Sequence, residues 1–146
     1  MAISRELPTH AYVPGFTERH PEGHFDHIRS SVNVGMSPKA LAASDAFQCG
    51  LHYLETGYFW EAHEVLEPVW MALPIDCEER QLVQALVQFA NAQLKMEMRR
   101  PKAAQRLCGI VRDLLSEVGA EAVMGLEVSE FLLQVDSFEK AKICAL

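Results

Sequence analysis

Gly57-Tyr58-Phe59-Trp60-Glu61-Ala62-His63-Glu64-Val65-Leu66-Glu67-Pro68-Val69-Trp70-Met71-Ala72-Leu73 is the stretch whose reading decides the fold. Wound at about 100° per residue, it gathers Phe59, Ala62, Leu66, Val69 and Trp70 on one face, the pattern of a helix packed on a core. Gly57 is a natural stop for a helix before it, and Pro74 ends the helix itself. Pro68 lies inside, so a kink near Glu64–Glu67 is expected, because proline lacks the N–H that bonds one turn back.

The same logic extends in both directions. Upstream, Ser37 is a good N-cap with Pro38 at the first helical position, and Phe47, Leu51 and Leu54 recur at helical spacing up to Gly57. Downstream, Asp76 as N-cap with Glu79 three positions on resembles a capping box and opens a helix to about Arg99. A further helix starts at Pro101, carries Ala103, Leu107, Ile110 and Leu114 on one stripe, and stops at Gly119. A last one begins after Ser129 and buries Phe131, Leu132, Val135 and Phe138. No segment alternates apolar and polar long enough for a strand. The expected fold is all-α, a compact antiparallel bundle of about five helices joined by short loops, over residues 37–146.

Residues 1–36 read differently. Pro8, Pro14, Pro21, Gly15, Gly23 and Gly35 break any helical period, leaving an irregular arm with a short helical turn near Phe25–Ser30. Tyr12, Val13, Phe16 and Phe25 are its apolar anchors, which predict that it packs on the body.

Composition narrows the function classes. A chain of 146 residues suits one domain and can bury a core without staples. Its formal charge of −7 argues against nucleic acid, which needs a clustered basic face. The dense basic stretch Arg99, Arg100, Lys102 and Arg106 reads as a solvated helix junction. No apolar run is long enough to cross a bilayer, and Met1–His10 lacks the apolar core of a signal peptide. Cys49, Cys77, Cys108 and Cys144 are far apart without Cys-x-x-Cys spacing, which fits reduced thiols and a cytoplasmic location. Neither a nucleophile elbow nor a Gly-rich phosphate loop is present.

Candidate chemistry centres on the opening stretch. The wheel groups Trp60, His63, Glu64 and Glu67 at the border of the core face and turns Glu61 towards the opposite flank. A histidine and a carboxylate at i and i+4 can reach one divalent metal, or can pair with each other. His63 and Glu67 are therefore candidate metal ligands and Glu64 a candidate general base, although a catalytic zinc needs about three protein ligands. Alternatively the pair simply closes the core edge. On the next helix Gln81, Gln84, Gln88 and Asn91 make a stripe of neutral amides opposite Leu82, Val83, Leu86 and Val87. That stripe is either the second wall of a polar pocket or a set of amides satisfying loop backbone. In the arm, Arg19-His20-Pro21-Glu22-Gly23-His24-Phe25-Asp26-His27 carries three histidines; a surface cluster is the plainer reading, and a third metal ligand from His20 or His24 the sharper one.

Phe47-x-x-Gly50-Leu51-x-x-Leu54-x-x-Gly57-Tyr58-Phe59-Trp60-Glu61-Ala62-His63-Glu64-Val65-Leu66-Glu67-x-x-Trp70 resembles the signature of a bacterial and archaeal family known as domain of unknown function 309. Glu79-Arg80-x-Leu82-Val83-Gln84-Ala85-Leu86-Val87-Gln88 is similar to that family's second helix, and the arm is similar to one of its branches, so the resemblance runs from about Tyr12 to Leu133. Pro68 and Ala85 depart from it, standing where many relatives have a helix former and a glycine. The resemblance implies a compact helical bundle and marks Glu61, His63, Glu64, Glu67, Trp70, Gln84 and Gln88 without assigning a reaction. The Gly57–Ala62 turn also looks like the hairpin of tetratricopeptide repeats, but no second copy follows at a ~34-residue period.

Three readings follow. The first is a module binding a small molecule or protein partner in a polar pocket between the Trp60 helix and the Gln84 helix, lined by Trp60, Glu61, His63, Glu64, Glu67, Trp70, Gln84 and Gln88. The second is a metal-dependent hydrolase using His63, Glu67 and Glu64. The third is a structural subunit of a homodimer. The residues alone do not decide whether the protein is an enzyme.

Overall fold

The computed structural model describes residues 7–145, so the reading of Met1–Glu6 lies outside the described residues. The helices, in chain order, are α1 (Asp26–Arg29), α2 (Pro38–Ala42), α3 (Asp45–Thr56), α4 (Phe59–Ala72), α5 (Glu78–Glu97), α6 (Pro101–Ser116) and α7 (Val128–Phe138). A π-helical turn, Glu139–Ile143, extends α7. Short loops join α3 to α4, α4 to α5 and α5 to α6, and each of these helices packs on the next, as the expected all-α bundle requires. None of the helices among the described residues is long and apolar enough to cross a membrane.

Ser37 caps its helix as expected, accepting the Ala40 N–H at 3.1 Å. That helix does not continue to Gly57, however. Ser44 takes an extended backbone and caps a second helix, α3, with its Oγ accepting from Phe47 N–H at 3.2 Å and donating to Leu41 O at 2.6 Å. A serine can satisfy backbone groups on both sides of a break, and the break turns α2 away from α3. Gly57 ends α3 in the left-handed conformation, at φ 88°.

Further boundaries differ from expectation. Cys77, not Asp76, is the N-cap of α5, and no side chain caps it. Its first-turn acids Glu78 and Glu79 instead face the positive end of the helix dipole. Arg99 closes α5 at φ 61°, and the Arg100 N–H reaches back to Lys95 O at 2.8 Å, so the basic stretch is a helix junction. Helix α6 ends at Ser116, before Gly119, whose N–H donates to Glu78 Oε1 at 2.6 Å.

A small antiparallel hairpin, β1 (Ala122–Val123) with β2 (Leu126–Glu127), precedes α7. Its central residues, Met124 at φ 52° and Gly125 at φ 81°, both take the positive φ that a two-residue hairpin turn demands. Strands of two residues are too short to show alternation, which is why the sequence pattern passed over them.

The core is continuous, with Leu41, Phe47, Val65, Leu66, Leu82, Val83, Val111 and Val135 all fully buried. Between α3 and α4 the contact is especially close. A Cβ at Gly50 would lie 2.4 Å from Leu66 Cδ2 and 2.5 Å from its Cγ. Gly50 therefore sets how near the two helices come, and so how α4 is presented to the arm.

Candidate functional site

The arm lies on α4. Glu61, turned away from the candidate patch on the helical wheel, is the fully buried charged residue at their junction. Its Oε2 accepts the Tyr12 N–H at 2.8 Å and pairs with His20 Nε2 at 2.6 Å. The His20 side chain is itself only 4% exposed, so both partners are out of water and each depends on the other. Glu61 Oε1 is buried without a hydrogen-bond partner among the described residues.

Around this pair the arm builds a ring stack. His20 stacks on His24 with centroids 5.3 Å apart and planes at 7°, and lies 4.7 Å from His10. Phe25 meets His20 edge-on at 5.2 Å, and Tyr12 meets Trp60 edge-on at 5.1 Å. His10 is fixed in turn by Glu18 O at 2.6 Å from Nε2. The expected surface cluster is thus divided: His24 and His27 are exposed, while His20 is inserted against α4. Behind it, Tyr53 on α3 has its phenol pushed up to about 12, first by burial and then by Cys49 and the Glu61 carboxylate. It stays a neutral wall of the junction under ordinary conditions.

Pro68 explains the next contact. In an α-helix the N–H of residue 68 would bond Glu64 O, and proline has none. Arg29, at the end of α1, supplies the donor: its Nη1 bonds Glu64 O and also Glu64 Oε1, the latter at 3.2 Å. Its Nη2 lies 3.8 Å from Glu67 Oε1. Helix α4 runs through Pro68 without interruption, its open carbonyl taken up by the arm.

A cleft of about 210 Å³ opens between the arm and α4. Arg19, His20, His24 and Arg29 supply basic groups to its lining, Glu22, Asp26 and Glu64 supply carboxylates, and Phe25 and Trp60 supply aromatic walls. Of the residues marked by sequence, Trp60 and Glu64 line it, and Glu61 holds His20 in its wall. His63 and Glu67 pair with each other at 3.4 Å, beside Arg29. Trp70 lies at the other end of α4, with the Arg80 guanidinium 4.9 Å over its ring. Gln84 and Gln88 are half-buried on α5, and Gln81 of the same stripe donates to Glu117 Oε2 at 3.1 Å. The cleft thus lies between the arm and α4, whereas the sequence placed the pocket between α4 and α5. Among the described residues no three His, Cys, Asp or Glu side chains are grouped to hold a metal ion, so His63 and Glu67 stand as a pair, and His20 is engaged by Glu61.

The sequence pattern gave no sign of Arg29, and it marked Tyr12 only as an apolar anchor and Arg19 only as a neighbour of the arm histidines; all three lie in the aperiodic arm. One signal for Glu61 was present: it continues the stripe of Val65, Val69 and Ala72, which the structure buries, at helical spacing.

Residues 47–107 match the family model described as Domain of unknown function (DUF309). The chain resembles that family. No curated protein and no solved structure matches it. The DUF309 match covers α3, α4, α5 and the start of α6, a shorter span than the sequence motifs suggested. Glu61 lies inside the matched segment and its partners Tyr12 and His20 outside it, so the junction joins the matched helices to the arm.

Proposed function

We propose that the protein is a binding module for a small zwitterion of the free amino-acid class, taken into the cleft between the arm and α4. The observation that carries this reading is the buried Glu61–His20 pair, which fixes the arm on α4 and so holds the cleft preformed. The cleft is smaller than the roughly 300–1,000 Å³ of drug-sized sites, which favours a ligand of few atoms. Its lining carries both signs of charge: Arg19 is an exposed guanidinium suited to a carboxylate, and Glu22 and Asp26 are suited to an ammonium. Trp60 and Phe25 offer apolar faces to a side chain. Among the described residues the hydrolase alternative has His63 and Glu67 as a pair and no third grouped donor for its metal, so the donor set favours binding.

Trp60 gives the test its reporter. In a Trp70→Phe protein it is the sole remaining tryptophan of two, and titration with each free amino acid in turn is expected to give a saturable fluorescence change with at least one. Arg19→Ala should abolish that change while moving the melting temperature by no more than about 2 °C, as for an ordinary surface substitution. No saturable response to any of them would overturn the reading.

A further inference from the structure

We propose that a second groove, formed by α3, α5, β2 and α7, binds a small amphiphilic cation: an apolar body carrying one ammonium or amidinium head. The groove has a volume of about 330 Å³ and shares no lining residue with the arm cleft. Its floor is aromatic and aliphatic. Leu86, Phe89 and Phe131 are buried there, with Phe131 5.6 Å and Phe138 5.7 Å from the Phe89 ring. Those dimensions and that lining are typical of a small-molecule site, in which apolar walls supply affinity and a few polar groups fix orientation.

The polar groups in the lining identify the ligand. They are three carboxylates, Glu55 at the end of α3 and Glu127 and Glu130 at the start of α7, with two amides, Gln93 and Gln134. All three carboxylates are exposed, and none enters an ion pair among the described residues. Among the described residues no Lys, Arg or His lines the groove. Arg112 of α6 is committed to the C-terminal end of α7 and its π-helical extension, to Asp136 at 2.8 Å and Glu139 at 2.6 Å. An anion would therefore meet repulsion from the rim carboxylates, weakened but not cancelled by solvent, and a neutral apolar molecule would leave the three charges unused. A cation whose head sits at the rim and whose body lies on the floor satisfies both. A volume of about 330 Å³ over a single aromatic cluster suits a small molecule better than a helix, which needs a longer trough.

The probe is 4-phenylbutylamine, with 4-phenylbutanol and 4-phenylbutanoate as the neutral and anionic versions of the same body. Amide chemical-shift mapping on the full chain is expected to show saturable changes for the amine, confined to α3, α5 and α7. The alcohol should bind at least tenfold more weakly and the carboxylate not at all. Glu55→Gln with Glu130→Gln, both at exposed positions, should weaken the amine at least tenfold and leave the alcohol unchanged, and the amide spectrum itself reports that this variant is folded. Equal binding of all three probes would overturn the proposal, as would amine-induced shifts scattered over the acidic surface without saturation. Binding only by a basic peptide, with no response to the amine, would also overturn it in favour of a protein partner. The arm cleft is untouched by these substitutions, so failure here leaves that reading intact.

Discussion

His20→Ala is expected to lower the melting temperature by about 10 °C, the effect of roughly 3 kcal/mol on a chain of this length. A buried pair contributes little net stability relative to apolar residues of the same shape, but removing one partner strands the other. Glu61 is wholly buried, and without His20 its Oε2 keeps only the Tyr12 N–H at 2.8 Å. Loss of the ring also removes the stack with His24 and the edge contact with Phe25. Glu61→Gln should cost less than His20→Ala, because an amide oxygen still accepts from Tyr12 while the buried charge is gone. Thermal unfolding followed by circular dichroism gives both numbers. A change under about 2 °C for His20→Ala, the size of an ordinary surface substitution, would mean that the arm is not anchored through this pair.

Gly50→Val is expected to destabilise by about 3 kcal/mol or more, at the upper end of overpacking effects. A single Cβ at Gly50 already falls 2.4 Å from Leu66 Cδ2 and 2.5 Å from its Cγ, so the fully buried Leu66 side chain would have to shift within the core. Valine adds two methyl groups to that clash, and its gain in helix propensity over glycine, a few tenths of a kcal/mol, is too small to offset it. Leu66→Ala should rescue part of the loss, giving a coupling of about 1–3 kcal/mol in a double-mutant cycle by urea denaturation. Additive effects would show that the two residues do not share the same space.

The helices were legible because periodicity and caps are local. Ser37, Gly57, Pro101 and the apolar stripes announce themselves within a few residues, and the structure places helix ends within two or three positions of most of them. The break at Ser44 was hidden because a serine inside a helical pattern is ambiguous until its neighbours in space are known. The site was half legible for a related reason. Trp60 and Glu64 sit on the helix with the clearest period, and they do line the cleft. Their partners come from residues 7–36, where proline and glycine erase periodicity and nothing local says which surface the chain will cover. Even so, two clues were present: Glu61 lies on a stripe of buried residues, and Pro68 guarantees an open carbonyl at Glu64 that some donor must fill. Arg29 fills it, 35 positions upstream.

Amide hydrogen exchange at Tyr12 tests most directly whether the arm is held on α4 by Glu61. Tyr12 lies in irregular chain, so its N–H should exchange near the unfolded rate unless the Glu61 carboxylate holds it. Strong protection is expected in the native protein, at least about a hundredfold, falling to the level of neighbouring arm amides in Glu61→Ala. Exchange of Tyr12 at the unfolded rate in the native chain would contradict it.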